Sequence, residues 1–478
     1  MAIVAARMWR SGVGLLRCSG ESGVARRLAH GTLWLLIGTA LWRVLTAVSS
    51  IFVARILGGT AFGELAMVRS TVDLFVVFGS FRLGSTATKY VSQYRKTDPA
   101  RAGAVLMLVL IVSLVTCLVT AALCLLLSPW MAGHVLDRAE LSPTITLGAV
   151  LIFFATFAAI QEVALAGFEA FRATAFLNAV RGVVAIAVCV PLAALWGVTG
   201  VIAALIVDAV LALGVCMAVL WKECVRQRVP LQWSRDAILR ELPVLWRFAL
   251  PGVCAGVLTT GTLWLGRAIL VRGTDGFMQL GLFSAANQWR TPMLFLPAVL
   301  CRVMLPVVSE AHAERRGTDL KAAIDINLRV VCLTALPVCL LVMGLADVIQ
   351  GLFGREFQHS GAILRILMPA TFLYAVDRVF ERVFEGTGRR WTDLAMTGGW
   401  SLLFLAVALS AVPRFGGVGL SLAFLLAYAA LVAGRIIYVD HVLVPGSIGT
   451  HARLLLLCSF ALAVVYAGSS YAAQRIAL

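Results

Sequence analysis

The residues of this sequence that are best suited to chemistry are arginines placed inside long apolar stretches. An ionisable side chain in hydrocarbon costs roughly 2.5–3.5 kcal/mol on insertion scales, so those that are kept normally face an interior cavity. A guanidinium offers paired donors that match a phosphate, and it keeps its proton when buried. We therefore expect a cationic cavity that binds an anion such as a lipid-linked pyrophosphate. The candidate binding residues are Arg43, Arg69, Arg82, Arg267, Arg290 and Arg302.

A structural interpretation competes with the binding role at several of these arginines. Arg69 stands four residues before Asp73, so the two can neutralise each other on one helix face. Arg82 and Arg302 fall near the ends of their apolar stretches, where a long side chain can reach the membrane interface. The binding role is favoured for the deeper residues Arg43, Arg267 and Arg290.

Acidic side chains inside the apolar stretches are candidates for ion coupling or gating. Closely spaced carboxylates can take up a proton or a sodium ion, so a gradient-coupled role is one interpretation. An ion-pair network that closes the cytoplasmic mouth is the other, because arginines flank Asp377 and Glu381. Asp208 has no charged neighbour in the local sequence and is a lone acid. The full set of candidates is Asp73, Glu162, Asp208, Asp377 and Glu381.

Motifs for metal binding or covalent catalysis do not accompany these charges. The eleven cysteines form no CxxC pair or Cys/His cluster, and most lie in apolar runs where cysteine acts as a small hydrophobic residue. The sequence has no GxSxG, HExxH or phosphate-binding glycine loop. A membrane enzyme such as a glycan polymerase or ligase usually has a large outer loop, and none is predicted. We expect neither an enzyme nor a cofactor, with coupling to a proton or sodium gradient left open.

Composition identifies the solvent in which these charges are placed. The chain of 478 residues is 61% hydrophobic and 13% charged, whereas a soluble protein carries about 25% charged residues. Its apolar runs are about twenty residues long, which is the length of a helix that crosses a bilayer. The short alternating segments of a membrane β-barrel are missing from the sequence. The chain is therefore predicted to be an all-α integral membrane protein.

The apolar runs predict twelve membrane spans and a thirteenth stretch, 454–473, that spans the membrane or lies at its interface. The approximate spans are 33–56, 65–86, 104–127, 143–166, 174–195, 197–221, 244–271, 280–308, 324–346, 361–383, 394–412 and 418–439. The predicted organisation is a basic cytoplasmic tail at 1–30, a six-helix bundle at 31–222, a cytoplasmic linker at 223–243, a second six-helix bundle at 244–440 and a C-terminal tail at 441–478.

Positive charge sets the orientation of these spans. Basic residues are concentrated in alternate loops, and all four lysines fall on one side of the predicted membrane. Because cytoplasmic loops carry the excess of lysine and arginine, the N-terminus is predicted to be cytoplasmic. This orientation explains the formal charge of +16 better than a nucleic-acid partner would.

The two predicted bundles are related by an internal repeat. Shifting the chain by about 218 residues places Gly63 on Gly281, and SQYRKTDPAR on SEAHAERRGTDLK. It also places Glu162 on Glu381, and the WGVTGV turn on FGGVGL. Equivalent points are six spans apart, so both halves have the same orientation in the membrane. Transporters use such parallel repeats to form a substrate path between the halves. A duplicated scaffold without transport is the alternative.

The segment FGELAMVRSTVDLFVVFGSFRLGSTATKYVSQYRKTDPARAG, residues 62–103, resembles oligosaccharide and polysaccharide flippases of the multidrug/oligosaccharidyl-lipid/polysaccharide exporter superfamily. The GVTG and GGVG turns look like the same family, and the resemblance covers roughly residues 30–440. It implies a MATE-like, V-shaped pair of bundles around a cationic cavity. It also implies alternating access that moves a polyprenyl-diphosphate oligosaccharide across a bacterial inner membrane, for surface polysaccharide or O-antigen synthesis, often with ion antiport.

The resemblance leaves a MATE-type ion-coupled multidrug exporter as the alternative function. Multidrug exporters of the superfamily commonly carry acids in helices 1 and 7, whereas the corresponding spans here carry Arg43 and Arg267 and no acid. This departure argues against a cationic drug as substrate. The partners that the resemblance implies are the lipid-linked oligosaccharide and membrane lipids. We expect a monomer, with an association with polysaccharide assembly proteins left open.

Overall fold

A chain this apolar has to satisfy its backbone hydrogen bonds within each crossing segment, which favours helices. The computed structural model describes the backbone of residues 22–80, 83–231, 242–302, 317–443 and 448–476. These residues contain no β-strand, and the predicted all-α class is confirmed. Arg82 and residues 232–241 of the predicted cytoplasmic linker lie outside the described residues.

The helices of the first half begin inside the predicted basic tail and continue into the predicted linker. They are α1 (Ser22–Ser80), α2 (Leu83–Tyr94), α3 (Pro99–Trp130), α4 (Ser142–Gly167), α5 (Phe171–Ala187) and α6 (Cys189–Arg226). The helices of the second half are α7 (Leu242–Val271), α8 (Gly276–Gln288), α9 (Arg290–Arg302), α10 (Gly317–Gly344), α11 (Ala346–Gly351), α12 (Gly361–Gly386) and α13 (Arg390–Tyr438). A last helix, α14 (Ile448–Ile476), follows.

In each of three long helices, one glycine marks the point where the helix changes direction. Gly58 lies within α1 with φ 75°, and this left-handed conformation favours glycine because it has no Cβ. Gly197 in α6 has φ 59° and ψ −136°. Gly416 in α13 has nearly the same angles, φ 54° and ψ −129°. Gly197 and Gly416 are about 219 residues apart, so the same backbone reversal recurs at the spacing of the predicted repeat.

The lengths and hydropathies of the helices fit membrane crossing. Seven helical segments of the described residues have the length and composition to span a membrane. Two of them, Trp34–Ser80 and Arg390–Leu443, each contain two predicted spans joined at a glycine reversal. The exact number of spans, twelve or thirteen, remains a prediction.

Local signals in the sequence explain where individual helices begin and break. Asp98 caps α3 by accepting a hydrogen bond from the Arg101 backbone N–H at 3.0 Å, and Pro99 occupies the first turn. The predicted span 280–308 is interrupted at Trp289, between α8 and α9. Pro292 lies in the first turn of α9 and has no N–H to donate to the preceding turn, so the interruption falls where a helical hydrogen bond is missing.

Packing within each half relies on small residues and on aromatic rings. In the first half Gly38 of α1 lies directly against the backbone of Ala175 in α5, where an added Cβ would overlap. In the second half Phe283 of α8 stacks on Phe424 of α13, and Phe404 of α13 meets the Phe424 ring edge to face. Helix α14 packs against α10, α12 and α13. Small residues let helix backbones approach in a membrane, where burial from water contributes little.

Candidate functional site: an arginine cluster between the two halves

The two halves meet along the second part of α1 and along α7. The indole N–H of Trp264 donates to Thr71 Oγ1 at 3.1 Å. Arg267, one turn further along α7, donates to Ser70 Oγ at 2.5 Å. These two hydrogen bonds place the C-terminal part of α7 of the second half directly on the C-terminal part of α1 of the first.

Arg267 stands at the centre of a group of charges contributed by both halves. It interacts electrostatically with Asp73, Arg290 and Arg69. Arg69 and Asp73 are exposed and share one face of α1, and that face is directed at the space between the halves because Arg267 belongs to the other half. We call Arg69, Asp73, Arg267 and Arg290 the arginine cluster.

Arg290 is held in the cluster by aromatic faces. It is the first residue of α9, directly after the interruption of the predicted span. Its guanidinium lies over the rings of Phe424 at 5.0 Å and Tyr374 at 5.5 Å, and it donates to Asn287 Oδ1 at 3.2 Å. It also hydrogen-bonds Tyr428. Aromatic faces attract a cation without neutralising it, so Arg290 is oriented while its charge is retained.

Arg43 lies beside the cluster and also links the halves. Its Nη1 donates to the backbone oxygen of Thr291 at 3.2 Å, and its guanidinium lies 5.2 Å from the centre of the Phe295 ring. Four of the six predicted binding arginines therefore come together. For Arg302 the structure describes the backbone, as the last residue of α9, but not the side chain.

Two of the predicted coupling acids belong to an ion network inside the first half. Arg181 of α5 donates to Asp208 Oδ2 at 2.8 Å and to Glu162 Oε2 at 3.4 Å. Its guanidinium also lies 5.1 Å from the Trp42 ring. The interpretation of Asp208 as a lone acid is therefore wrong, because the packing of α4, α5 and α6 brings together Glu162, Arg181 and Asp208, which are far apart in sequence. We call Arg181, Glu162 and Asp208 the first-half network.

A second network, also made of one arginine and two carboxylates, lies inside the second half. Arg435 of α13 contacts Asp377 Oδ1 at 3.0 Å and Asp393 Oδ1 at 2.5 Å. Arg435 is only 2% exposed and Asp377 only 5%. Glu381 is not part of it and instead pairs with Arg378 one turn away on α12. We call Arg435, Asp377 and Asp393 the second-half network.

Sequence reasoning missed Arg435 and Asp393 as partners of Asp377. The available signal was an arginine inside the predicted span 418–439, which needs a carboxylate in a neighbouring helix. Asp393 lies in the first turn of α13, one residue before the predicted span 394–412 begins. Glu162 and Glu381, which the predicted repeat places at equivalent positions, have different partners, so the predicted repeat does not extend to these ion pairs.

Comparison with known sequences identifies the family. The sequence profile described as polysaccharide biosynthesis protein matches residues 52–361, which is more than half of the chain. The chain belongs to this family. A curated relative is the EPS I polysaccharide export inner membrane protein EpsE of Ralstonia solanacearum, 26% identical over 208 residues. The alignment covers 43% of this chain and 47% of EpsE, so the chain spans about half the length of the curated relatives it matches.

Solved structures share the fold over almost the whole chain. The lipid II flippase MurJ in an inward closed conformation superposes with a TM-score of 0.67, at 15% identity, over 93% of this chain and 99% of MurJ. A multidrug resistance MATE family transporter of the MOP superfamily, in an inward-facing conformation, gives 0.64 at 14% identity, over 88% of this chain and 98% of the transporter. The predicted MATE-like fold is confirmed, and this multi-pass membrane chain shares it with these transporters.

The arrangement is suited to binding rather than to covalent chemistry. Arg69, Arg267 and Arg290 carry three positive charges against the single carboxylate of Asp73. A site with more arginine than acid attracts an anion, and guanidinium groups on opposite sides match the several oxygens of a phosphate group. The two other networks each hold one arginine between two carboxylates, and they have no comparable excess of positive charge.

Proposed function

We propose that this protein is a flippase that moves a polyprenyl-diphosphate-linked oligosaccharide across the bacterial inner membrane by alternating access, for surface polysaccharide synthesis. The observation that carries the proposal is the arginine cluster, in which cations from both halves converge on one space. Membership of the polysaccharide biosynthesis family supports the substrate class. The role of the relative EpsE in polysaccharide export at the inner membrane supports both the direction and the location.

The cluster provides a physical route for the charged part of such a lipid. A diphosphate carries two or more negative charges and cannot enter hydrocarbon alone. Arg267 and Arg290 from one half and Arg69 from the other would bind its oxygens, while the polyprenyl tail stays in the bilayer. Because the cluster spans the boundary between the halves, rocking one half against the other would carry the bound phosphate from one side to the other.

Ion coupling is part of the proposal, and Asp73 is the acid that we assign to it. Glu162, Asp208, Asp377 and Glu381 each pair with an arginine of their own half. Asp73 lies instead among the arginines that would bind the substrate. A proton taken up by Asp73 would raise the positive charge of the cluster. Asp73→Asn should therefore keep transport while making it less sensitive to a proton gradient; unchanged sensitivity would remove Asp73 from this role.

The multidrug alternative is weaker because the space between the halves carries a net positive charge, which repels a cationic drug. Arg43 and Arg267 occupy helices that carry acids in many drug exporters of the superfamily, and both lie at this boundary. Deletion of the gene should leave drug susceptibility unchanged while it lowers glycan export.

The decisive cellular test uses single substitutions in a strain deleted for the gene. Arg267→Ala and Arg290→Ala should each lower glycan export at least about tenfold, since each removes a charged donor worth roughly 1.5–3 kcal/mol. Arg414→Ala is the matched control, because Arg414 is exposed and outside the cluster. Full export in both cluster variants, at normal protein levels, would reject the proposed site.

A further inference from the structure

A contact between two helix backbones joins the halves at one end of the molecule. A Cβ added at Gly63 of α1 would overlap the backbone oxygen of Phe277 in α8, and one added at Gly281 of α8 would overlap the backbone oxygen of Gly59 in α1. Only glycine allows two helices to approach so closely. At this crossing the two backbones touch with no side chain between them.

The crossing is self-complementary. Gly59 and Phe277 are about 218 residues apart, and so are Gly63 and Gly281. Gly63 meets Phe277, and the equivalent Gly281 meets the equivalent Gly59. Reciprocal contacts of this kind occur where a two-fold axis passes through an interface. The pseudo-two-fold axis between the halves therefore runs through this crossing.

Three charged side chains fasten the halves around the crossing, and each binds the backbone of the opposite half. Arg55 Nε donates to the Leu352 oxygen at 2.7 Å. Glu356 Oε2 accepts from the Gly59 N–H at 2.6 Å. Arg272 donates to the oxygens of Val135 at 2.9 Å and His134 at 2.6 Å. We call these contacts the three latches. Charge-assisted hydrogen bonds are stronger than neutral ones. When this end of the boundary opens, water can take the place of the backbone partners.

Aromatic packing fills the space beside the crossing. The ring of Phe62 lies 6.4 Å from that of Phe353 and 6.1 Å from that of Phe357, measured between centroids. All three rings are buried, although they come from opposite halves. Arg138, which pairs with Glu64 at 3.1 Å, lies 5.3 Å from the centre of the Phe277 ring. The crossing, the latches and these rings leave this end of the boundary closed.

We propose that the Gly63–Gly281 crossing, held by the three latches, is the seal of the extracytoplasmic end, and that it separates when the transporter opens outward. The side of the membrane follows from the predicted positive-inside orientation. The inference rests on the alternating access of the proposed function, but it does not depend on the substrate. A residue that widens the crossing should therefore favour the outward-open state without touching the arginine cluster.

The test measures the separation of the two halves at the sealed end. Trp196 and Phe415 are exposed, equivalent in the repeat, and placed in the turns before Gly197 and Gly416. Spin labels on Trp196→Cys and Phe415→Cys, in the full-length chain with its native cysteines replaced, report this distance by pulsed electron resonance. Gly63→Ala and Gly281→Ala should each raise the ratio of long to short distances about tenfold or more, because overpacking a tight contact is strongly unfavourable.

Gly133→Ala is the matched control, because Gly133 is at the same end and an added Cβ there would meet no atom within 4 Å. It should leave the distance distribution unchanged. If the alanine variants of the crossing do not fold, Glu356→Gln and Arg272→Gln weaken the latches instead and should shift the distribution in the same direction.

The proposed seal is overturned if Gly63→Ala and Gly281→Ala fold and leave the label–label distance distribution unchanged. If they do not fold, an unchanged distribution in both Glu356→Gln and Arg272→Gln overturns it. The measurement needs no substrate, so failure of the flippase assignment would leave this result standing. Conversely, glycan export could be confirmed while the seal is rejected.

Discussion

Two kinds of buried arginine occur in this protein, and their surroundings differ. Arg435 and Arg181 are each held between two carboxylates of their own half. Arg267 and Arg290 both belong to the second half and lie at its boundary with the first half, where Asp73 of the first half is the carboxylate of their cluster. The first arrangement satisfies a charge within a bundle, and the second leaves positive charge available to an anion. The residue type alone does not separate structural from binding arginines; the number and position of the nearby acids do.

The largest expected effect comes from breaking the second-half network. Arg435→Leu leaves the buried Asp377 and the half-buried Asp393 without their cation, and removing one partner of a buried pair costs about 3–5 kcal/mol. We expect a large loss of thermal stability in detergent. The double variant Arg435→Leu/Asp377→Leu should recover part of that loss, because it removes an unpaired buried charge. Stability equal to that of the unsubstituted protein in Arg435→Leu would contradict a structural role.

The first-half network should respond in the same way but less strongly. The Arg181 side chain is 19% exposed, compared with 3% for Arg435, so water can partly replace its hydrogen bonds. Arg181→Leu should cost about 1.5–3 kcal/mol, the range for hydrogen bonds to charged groups. Thermal unfolding of both single variants side by side checks the order. A larger loss of thermal stability in Arg181→Leu than in Arg435→Leu would contradict the expected order of the two networks.

Arginines of the cluster should show the opposite pattern. Arg267→Ala should lower transport about tenfold or more, equivalent to about 1.4 kcal/mol of lost binding, with little loss of thermal stability. Its removal relieves repulsion from Arg290 and Arg69, which offsets the lost hydrogen bond to Ser70. Transport and unfolding are measured on the same preparation. Loss of stability in proportion to transport would place Arg267 with the structural arginines.

The smallest effect is expected from the aromatic support of Arg290. Phe424→Leu removes a ring that lies 5.0 Å from the guanidinium, and such a cation–π contact is worth about 0.5–1 kcal/mol. Transport should therefore fall about two- to fivefold. Phe404→Leu is the control, since Phe404 belongs to the same aromatic series, stacked on Trp400 and in edge contact with Phe424. Equal losses in the two variants would show that packing, rather than the support of Arg290, is responsible.

The sequence predicted which arginines meet between the halves better than it predicted the partners of the ion pairs. Arg43, Arg267 and Arg290 could be found because an arginine deep in an apolar stretch has few structural explanations. The equivalent turns at Gly197 and Gly416 could be found because polar loop residues recur less often by chance than apolar ones. Asp208 was misread because its partner, Arg181, is brought to it only by the packing of α4, α5 and α6. Partners on different helices depend on tertiary contacts, which a single sequence does not contain.

The seal illustrates the same limit. Gly63 and Gly281 were paired as repeat equivalents, but their meeting at a crossing depends on where the pseudo-two-fold axis passes. Arg55, Arg272 and Glu356 lie near span ends, where charged residues are common and carry no signal of their own. Their binding to backbone groups of the opposite half became visible only once the two halves were placed together.

The central claim is that the arginine cluster binds the diphosphate of a lipid-linked glycan. It is tested most directly by reconstituting the full-length chain into liposomes and following translocation of a labelled polyprenyl-diphosphate glycan, beside the same glycan on a monophosphate lipid. The account predicts that the diphosphate lipid moves about tenfold faster or more, and that Arg267→Ala and Arg290→Ala remove this preference while Arg414→Ala keeps it. Equal rates for the two lipids, or an undiminished preference in both cluster variants, would contradict it.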